Sequence, residues 1–172
     1  AVTQAKEAGA LISFDPNLRE PLWDTLDHAK EEIRWGLGQC DILKISDNEI
    51  QWLTGKKDFT EGVTEIRREF PIPLILVSMG RDGSRAYYGD GYVEVAPFLQ
   101  KHTIETTGAG DTFCACIINY ILEHGLTALK ESQLREMLTF ANAAASIITT
   151  RKGALRVMPT LKEVQDYLAA HA

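Results

Sequence analysis

Between Pro73 and Ser78 the chain reads Leu-Ile-Leu-Val, apolar at every position and not at alternate ones. A strand that is apolar on both faces must be covered on both, the situation of strands in a parallel sheet layered between helices. Residues 73–79 therefore predict a central strand, with residues 11–14 and 41–45 as shorter companions. The intervening stretches carry helical spacing. In 22–37, Trp23, Leu26, Ala29, Ile33 and Leu37 fall on one side, and Gly36 and Gly38 end the run. Residues 46–49 open a short helix with Ser46 or Asp47 as cap and Ile50 and Leu53 inward, and 60–70 predicts a further amphipathic helix.

After the central strand the rhythm changes. Residues 84–88 and 92–96 flank Gly89-Asp90-Gly91 as a hairpin, where the sheet should switch from parallel to antiparallel. Residues 112–122 form an almost unbroken apolar run of helical length. In 131–150, Leu134, Leu138, Ala141, Ala145 and Ile148 point inward, with Asn142 at the edge of that face. Thr160 and Glu163 make a capping-box pattern ahead of a terminal helix docked by Val164 and Leu168. The expected fold class is α/β, three layers around a mostly parallel sheet with an antiparallel hairpin edge. With 172 residues and 45% apolar content, a single domain 1–172 can build a substantial core.

The same reading excludes several functions. No apolar run reaches membrane-spanning length, and residues 1–8 look like an amphipathic helix end without a signal-peptide pattern. Cys40, Cys114 and Cys116 have no metal-ligand spacing and read as core filler in a reducing cytoplasm. The four scattered histidines form no ligand cluster. A net charge of −6 without a basic stripe argues against nucleic acid and anionic membranes as partners. A polyphosphate would need local cations, for which Lys44, Arg19, Arg81, Arg151 and Lys152 are candidates.

The chemistry concentrates in loops. Thr106-Thr-Gly-Ala-Gly-Asp111 stands at the mouth of the apolar helix. Gly108 and Gly110 allow backbone turns and close approach that a Cβ would forbid, and Ala109 is nearly as small. Unpaired N–H groups on the positive end of a buried helix make an anion site. A negative charge at Asp111 is favoured there by roughly 0.3–1 kcal/mol. A carboxylate beside a phosphate cradle makes sense as acceptor of the proton from an attacking hydroxyl. The plainer alternative is a capped helix start with a tight turn. Asp15-Pro-Asn17-Leu-Arg19 follows the first strand and offers acceptors and donors for a polyol or small acid, or no more than Asx-turn chemistry. Ser78, Gly80 and Gly83 could be only what a turn requires.

Taken together these motifs resemble the ribokinase-like sugar kinases, the phosphofructokinase-B family. Thr106–Asp111 is similar to its signature, in which Gly108, Ala109 and Gly110 would form the anion hole and Asp111 would be the general base. The stretch Asp15, Asn17 and Arg19 resembles one in bacterial fructokinases and 2-keto-3-deoxygluconate kinases, and implies sugar contact. Residues 44–49 resemble the segment whose glutamate, here Glu49, organises hydrated magnesium. Ser78, Gly80 and Gly83 would lie against the nucleotide, and Asn142 would face adenine. Glu105, more often Asp in the family, and Thr107 stand where a monovalent cation, potassium, is held.

The resemblance implies ATP, Mg²⁺ and a sugar as ligands, fructose ahead of 2-keto-3-deoxygluconate. A non-catalytic nucleotide-binding module remains the alternative from another class. A dinucleotide oxidoreductase is disfavoured because no glycine stands at position 113, and a Walker ATPase because no Gly-Lys-Ser/Thr follows the glycines. Family members are nearly twice this long, so the chain reads as a C-terminal portion lacking the first strands and the β lid. It is expected to keep a nucleotide pocket, to turn over poorly alone, and to pair through a bared sheet edge as a homodimer or with the other half.

Overall fold

The computed structural model describes residues 1–171. It contains one five-stranded sheet in the order β1 (Ser13–Phe14), β2 (Ile42–Ser46), β3 (Leu74–Ser78), β4 (Ser84–Tyr88) and β5 (Gly91–Val95). Its helices among the described residues are α1 (Val2–Glu7), α2 (Leu26–Leu37), α3 (Asp47–Thr54), α4 (Phe59–Glu69), α5 (Ala109–His124), α6 (Glu131–Ile148) and α7 (Leu161–Ala169). The chain divides into two compact units, residues 1–78 with 87–91, and residues 79–86 with 92–171.

In the first unit β1, β2 and β3 run parallel. Leu74 to Val77 and Ile42, Leu43 and Ile45 are all buried, as unalternating apolar strands require. The register pairs Phe14 with Leu43 and Ser46 with Ser78, so the loop after β1 and the turns after β2 and β3 emerge at the same end. Ala29, Ile33 and Leu37 of α2, Ile50 and Leu53 of α3, and Val63 and Ile66 of α4 supply the covering layer. Two expectations shift. The helix predicted from residue 22 starts at Leu26, because residues 20–22 form a 3-10 turn and the Thr25 hydroxyl accepts from the His28 N–H. Leu26 is accordingly 41% exposed, not inward. The strand predicted over 11–14 shrinks to two residues, with Leu11 half out in solvent.

In the second unit α5 packs on α6 and α6 on α7. Phe113, Ile117 and Ile121 are the buried side of α5, and Leu134, Leu138, Ala141 and Ile148 are buried on α6 as its spacing predicts. Val164 docks α7 onto Ala143, Ala144 and Ile147, with Leu168 partly covered beside it. The Thr160–Glu163 capping box forms as expected. β4 and β5 are sheet neighbours joined by a two-residue turn at Gly89-Asp90, hence antiparallel. Gly83 precedes β4 with φ 94, and a Cβ there would fall 2.2 Å from the Val95 carbonyl oxygen. Burial pushes the Cys40 thiol up to about 12 and Cys116 up to about 11, which keeps both inert at neutral pH.

Candidate functional site

Two loop clusters carry the candidate residues. In the first unit, the pairing of β1 with β2 brings Asp15, one residue past Phe14, to Lys44. Their ion pair measures 3.1 Å, and Lys44 is 6% exposed. Burial raises the Asp15 carboxyl above its ordinary value, against the opposing attraction of Lys44. Lys44 is therefore paired with Asp15. Asp15 Oδ1 also accepts the Asn17 N–H at 3.2 Å, closing an Asx turn through Asn17, which has φ 44. The Arg19 guanidinium turns back to the carbonyls of Asn17 and Leu18, at 3.4 and 3.1 Å.

Glu49 is tied into the same loop. Its Oε1 accepts the Leu18 N–H at 2.7 Å, and its Oε2 accepts the Ser46 N–H at 2.8 Å and the Ser46 hydroxyl at 2.7 Å. Ser46, not Asp47, is the cap of α3, and Glu49 completes its capping box. Asn17, Leu18, Arg19, Lys44, Glu49 and Trp52 line an open pocket of about 330 Å³. Ser78 stands half-buried at the end of β3, beside Ser46 by register. Asp15, Asn17, Arg19 and Glu49 are thus brought together.

The second cluster is the start of α5. Gly108 is its N-cap residue with φ 78, and no side chain caps the helix. The Ala109 N–H donates to the Thr106 carbonyl at 3.2 Å, and the Thr112 N–H to Gly108 at 2.8 Å. Among the described residues, no protein group accepts from the N–H groups of Gly110 and Asp111. Of the expected anion-hole residues Gly108, Ala109 and Gly110, Ala109 already spends its N–H on the turn into the helix. Asp111 is exposed in the first turn. The loop is held from behind: the Thr149 carbonyl accepts from Ile104 and Glu105, at 2.8 and 3.3 Å, and Glu105 Oε1 accepts the Gly153 N–H at 2.7 Å. Thr107 is exposed.

The Thr112 hydroxyl, beside Asp111 in sequence, is buried without a hydrogen-bond partner. Thr112 heads the apolar run of residues 112–122, and no local pattern marks it out. Gly80 and Gly83 belong to a 3-10 turn, with Gly80 exposed at φ 55. Asn142 is bonded within the protein. Its Oδ1 accepts from the Ser84 hydroxyl at 2.8 Å, and its Nδ2 donates to the carbonyls of Val95 and Ala96, at 3.2 and 3.1 Å. With every polar atom engaged and the residue 8% exposed, Asn142 ties α6 to the hairpin. Arg151 is likewise paired, with Glu163.

A family model for the pfkB family carbohydrate kinases matches residues 1–161, and the chain belongs to that family. Probable fructokinase-2 of Arabidopsis thaliana is 40% identical over 168 residues, covering 98% of this chain and 51% of that protein. The chain thus spans about half the length of such curated relatives. Among solved structures, a fructokinase double mutant from Vibrio cholerae O395, bound to fructose, ADP and potassium ion, superposes with a TM-score of 0.86 at 29% identity. It is matched over 98% of this chain and 53% of its own. A ribokinase II in complex with ATP and Mg²⁺ from E. coli gives 0.83 at 25% identity, over 99% and 52%. The fold is therefore the ribokinase-like αβα fold expected from the sequence.

Proposed function

We propose that the chain is part of an ATP-dependent sugar kinase whose acceptor is fructose. One observation carries the reading: the uncapped tip of α5 offers two unpaired N–H groups, Gly110 and Asp111, with the exposed Asp111 carboxylate in the same turn. Those amides steady the charge that develops on the transferred phosphoryl oxygens, aided by the positive end of the helix. Asp111 accepts the proton of the attacking hydroxyl. Asp15, Asn17 and Arg19 contact the sugar. Ser78, Gly80 and Gly83 border the nucleotide, and Asn142 shapes its wall through packing.

Magnesium, when bound with the nucleotide, neutralises phosphate charge. Among the described residues no group of three His, Cys, Asp or Glu could cage a metal ion. Glu49, at the head of α3, would reach a magnesium ion carried on phosphates through water, as that ion's reluctance to dehydrate favours. Glu105 and Thr107 fit a monovalent cation, the carboxylate keeping one oxygen outside its bond to Gly153. The thiols of Cys40 and Cys116, held protonated by burial, accord with action in a reducing cytoplasm. β1, at one end of the strand order, leaves an edge for further chain or a second copy.

The fructose preference rests on the relatives' names and on the Asp15–Arg19 loop. The test is Asp111→Asn in the protein at its full natural length. Fructose-dependent ADP production should fall by roughly 10²–10⁴ with little change in the KM for ATP. Near-normal turnover would remove Asp111 from the base role.

A further inference from the structure

We infer that Arg151 and Glu163 are positioning residues for phosphoryl transfer, a pair through which α7 holds the loop that backs the tip of α5; this rests on the sugar-kinase reading above. That loop, residues 150–157, lies between α6 and α7. Two contacts join it to the start of α5. The Gly153 N–H donates to Glu105 Oε1 at 2.7 Å, in the segment that leads into residues 106–111. Ala154 lies behind Gly108, so close that a Cβ on that glycine would come 3.4 Å from the Ala154 Cα. A shift of this loop therefore moves Gly108, and with it the N–H groups of Gly110 and Asp111 at the helix start.

No residue of 150–157 is buried, so packing does little to fix the loop. Its restraint is polar. The Arg151 guanidinium spans it, Nη1 donating to the Val157 carbonyl at 3.0 Å and Nη2 pairing with Glu163 Oε1 on α7. The other oxygen of Glu163 accepts the Thr160 N–H at 2.7 Å and the Thr160 hydroxyl at 2.9 Å. The Thr160 N–H, with Arg151 beside it, holds the Glu163 carboxyl down to about 2, so it is ionised at neutral pH. α7 is itself docked by the buried Val164, and by the Tyr167 hydroxyl, which accepts from Gln100 Nε2 at 3.1 Å. An isolated exposed ion pair contributes little, but here both partners are engaged twice and one of them stands on an anchored helix. The planar fork of arginine makes the double engagement possible; a lysine ammonium cannot present it.

The experiment uses the protein at its full natural length, with two readouts. In Arg151→Met, turnover on fructose should fall about tenfold, less than the roughly 10²–10³ lost when such a donor is deleted outright. The KM for fructose should stay within about twofold, the pattern of an interaction that counts only in the transition state. Arg151→Lys keeps the charge opposite Glu163 without the fork, and should lose about threefold in turnover. Tyr167→Phe loosens α7 at its other contact and leaves the pair intact, so its turnover should stay within about twofold of wild type. Independently of activity, the Gly153 amide should exchange with solvent at least about tenfold faster in Arg151→Met than in wild type or Tyr167→Phe.

Wild-type turnover in Arg151→Met, or unchanged Gly153 exchange, would overturn the inference. So would an equal loss of turnover in Tyr167→Phe, which would reduce the pair to one of several contacts that dock α7. If Arg151→Met does not fold, Arg151→Lys carries the same test, and wild-type turnover and exchange there overturn it. If the wild-type protein phosphorylates no fructose, the sugar reading fails. The exchange measurement then still decides whether Arg151 and Glu163 hold the loop.

Discussion

The loop after β1 and the tip of α5 are built in opposite ways. In the Asp15–Arg19 loop, Asp15, the Asn17 and Leu18 amides, Arg19, Lys44 and Glu49 are all bonded within the protein. At the tip of α5, two amides and a carboxylate have no protein partners among the described residues, and no side chain caps the helix. The contrast follows from the tasks proposed for them. A binding surface gains from rigidity, because order already present in the free protein need not be imposed on binding. A site that stabilises a transient charge must instead keep its donors free for a group that exists only during the reaction.

The sharpest way to break this comparison is the Asp111→Asn exchange described above, with the largest expected effect and a loss confined to turnover. Next comes Lys44→Met, which strips the Asp15 carboxylate of its partner. Stability to denaturant should fall by about 2–4 kcal/mol, short of the range for a fully buried pair because the Asp15 side chain is 20% exposed. The deficit should shrink in acid, where Asp15 is protonated. A variant as stable as wild type would show that the loop is not held by that pair.

A smaller loss is expected from Gly108→Ala. Its φ of 78 disfavours an L-residue by about 1–2 kcal/mol. The new methyl would also lie 3.3 Å from Ile148 Cδ1 and 3.4 Å from Ala154 Cα. Thermal denaturation should register that loss, together with lower turnover at an unchanged fructose KM. A raised fructose KM instead would mean that the two clusters do not divide binding from chemistry.

The smallest effect concerns pH. Because burial raises the folded-state pKa of Asp15, the folded protein holds that proton more tightly than the unfolded chain does. Its contribution to stability is complete below the ordinary value of 3.8 and is lost as pH rises through the raised folded value. Relative to wild type, Asp15→Asn should remove a decline in stability over that window, at most about 1.4 kcal/mol per pH unit for one group. Parallel stability curves for the two proteins would refute the burial effect.

Much of the site was legible wherever a feature is carried by neighbours in sequence. Thr160 and Glu163 are three residues apart, so their capping box follows from spacing alone. Gly108-Ala-Gly-Asp111 ahead of an apolar run already specifies an open helix start with an acid in it. The partnerships that were not legible share the opposite character. Asn142 looked like the polar edge of a helix, yet its partners are Ser84, Val95 and Ala96, 46 to 58 residues away. Lys44 looked like a free cation until the register of β1 on β2 supplied Asp15, 29 residues distant.

The amino-acid order by itself determined the alternation of strands and helices, the two glycine-bearing loops and the acid at the head of α5, because these depend on backbone preference and on the period of apolar residues. Which polar groups are satisfied and which remain open was decided only by tertiary structure. Hydrogen bonds from Leu18 to Glu49, or from Gly153 to Glu105, join residues 31 and 48 positions apart. No local pattern encodes such a meeting; it exists once the sheet register and helix packing have fixed where each backbone amide points.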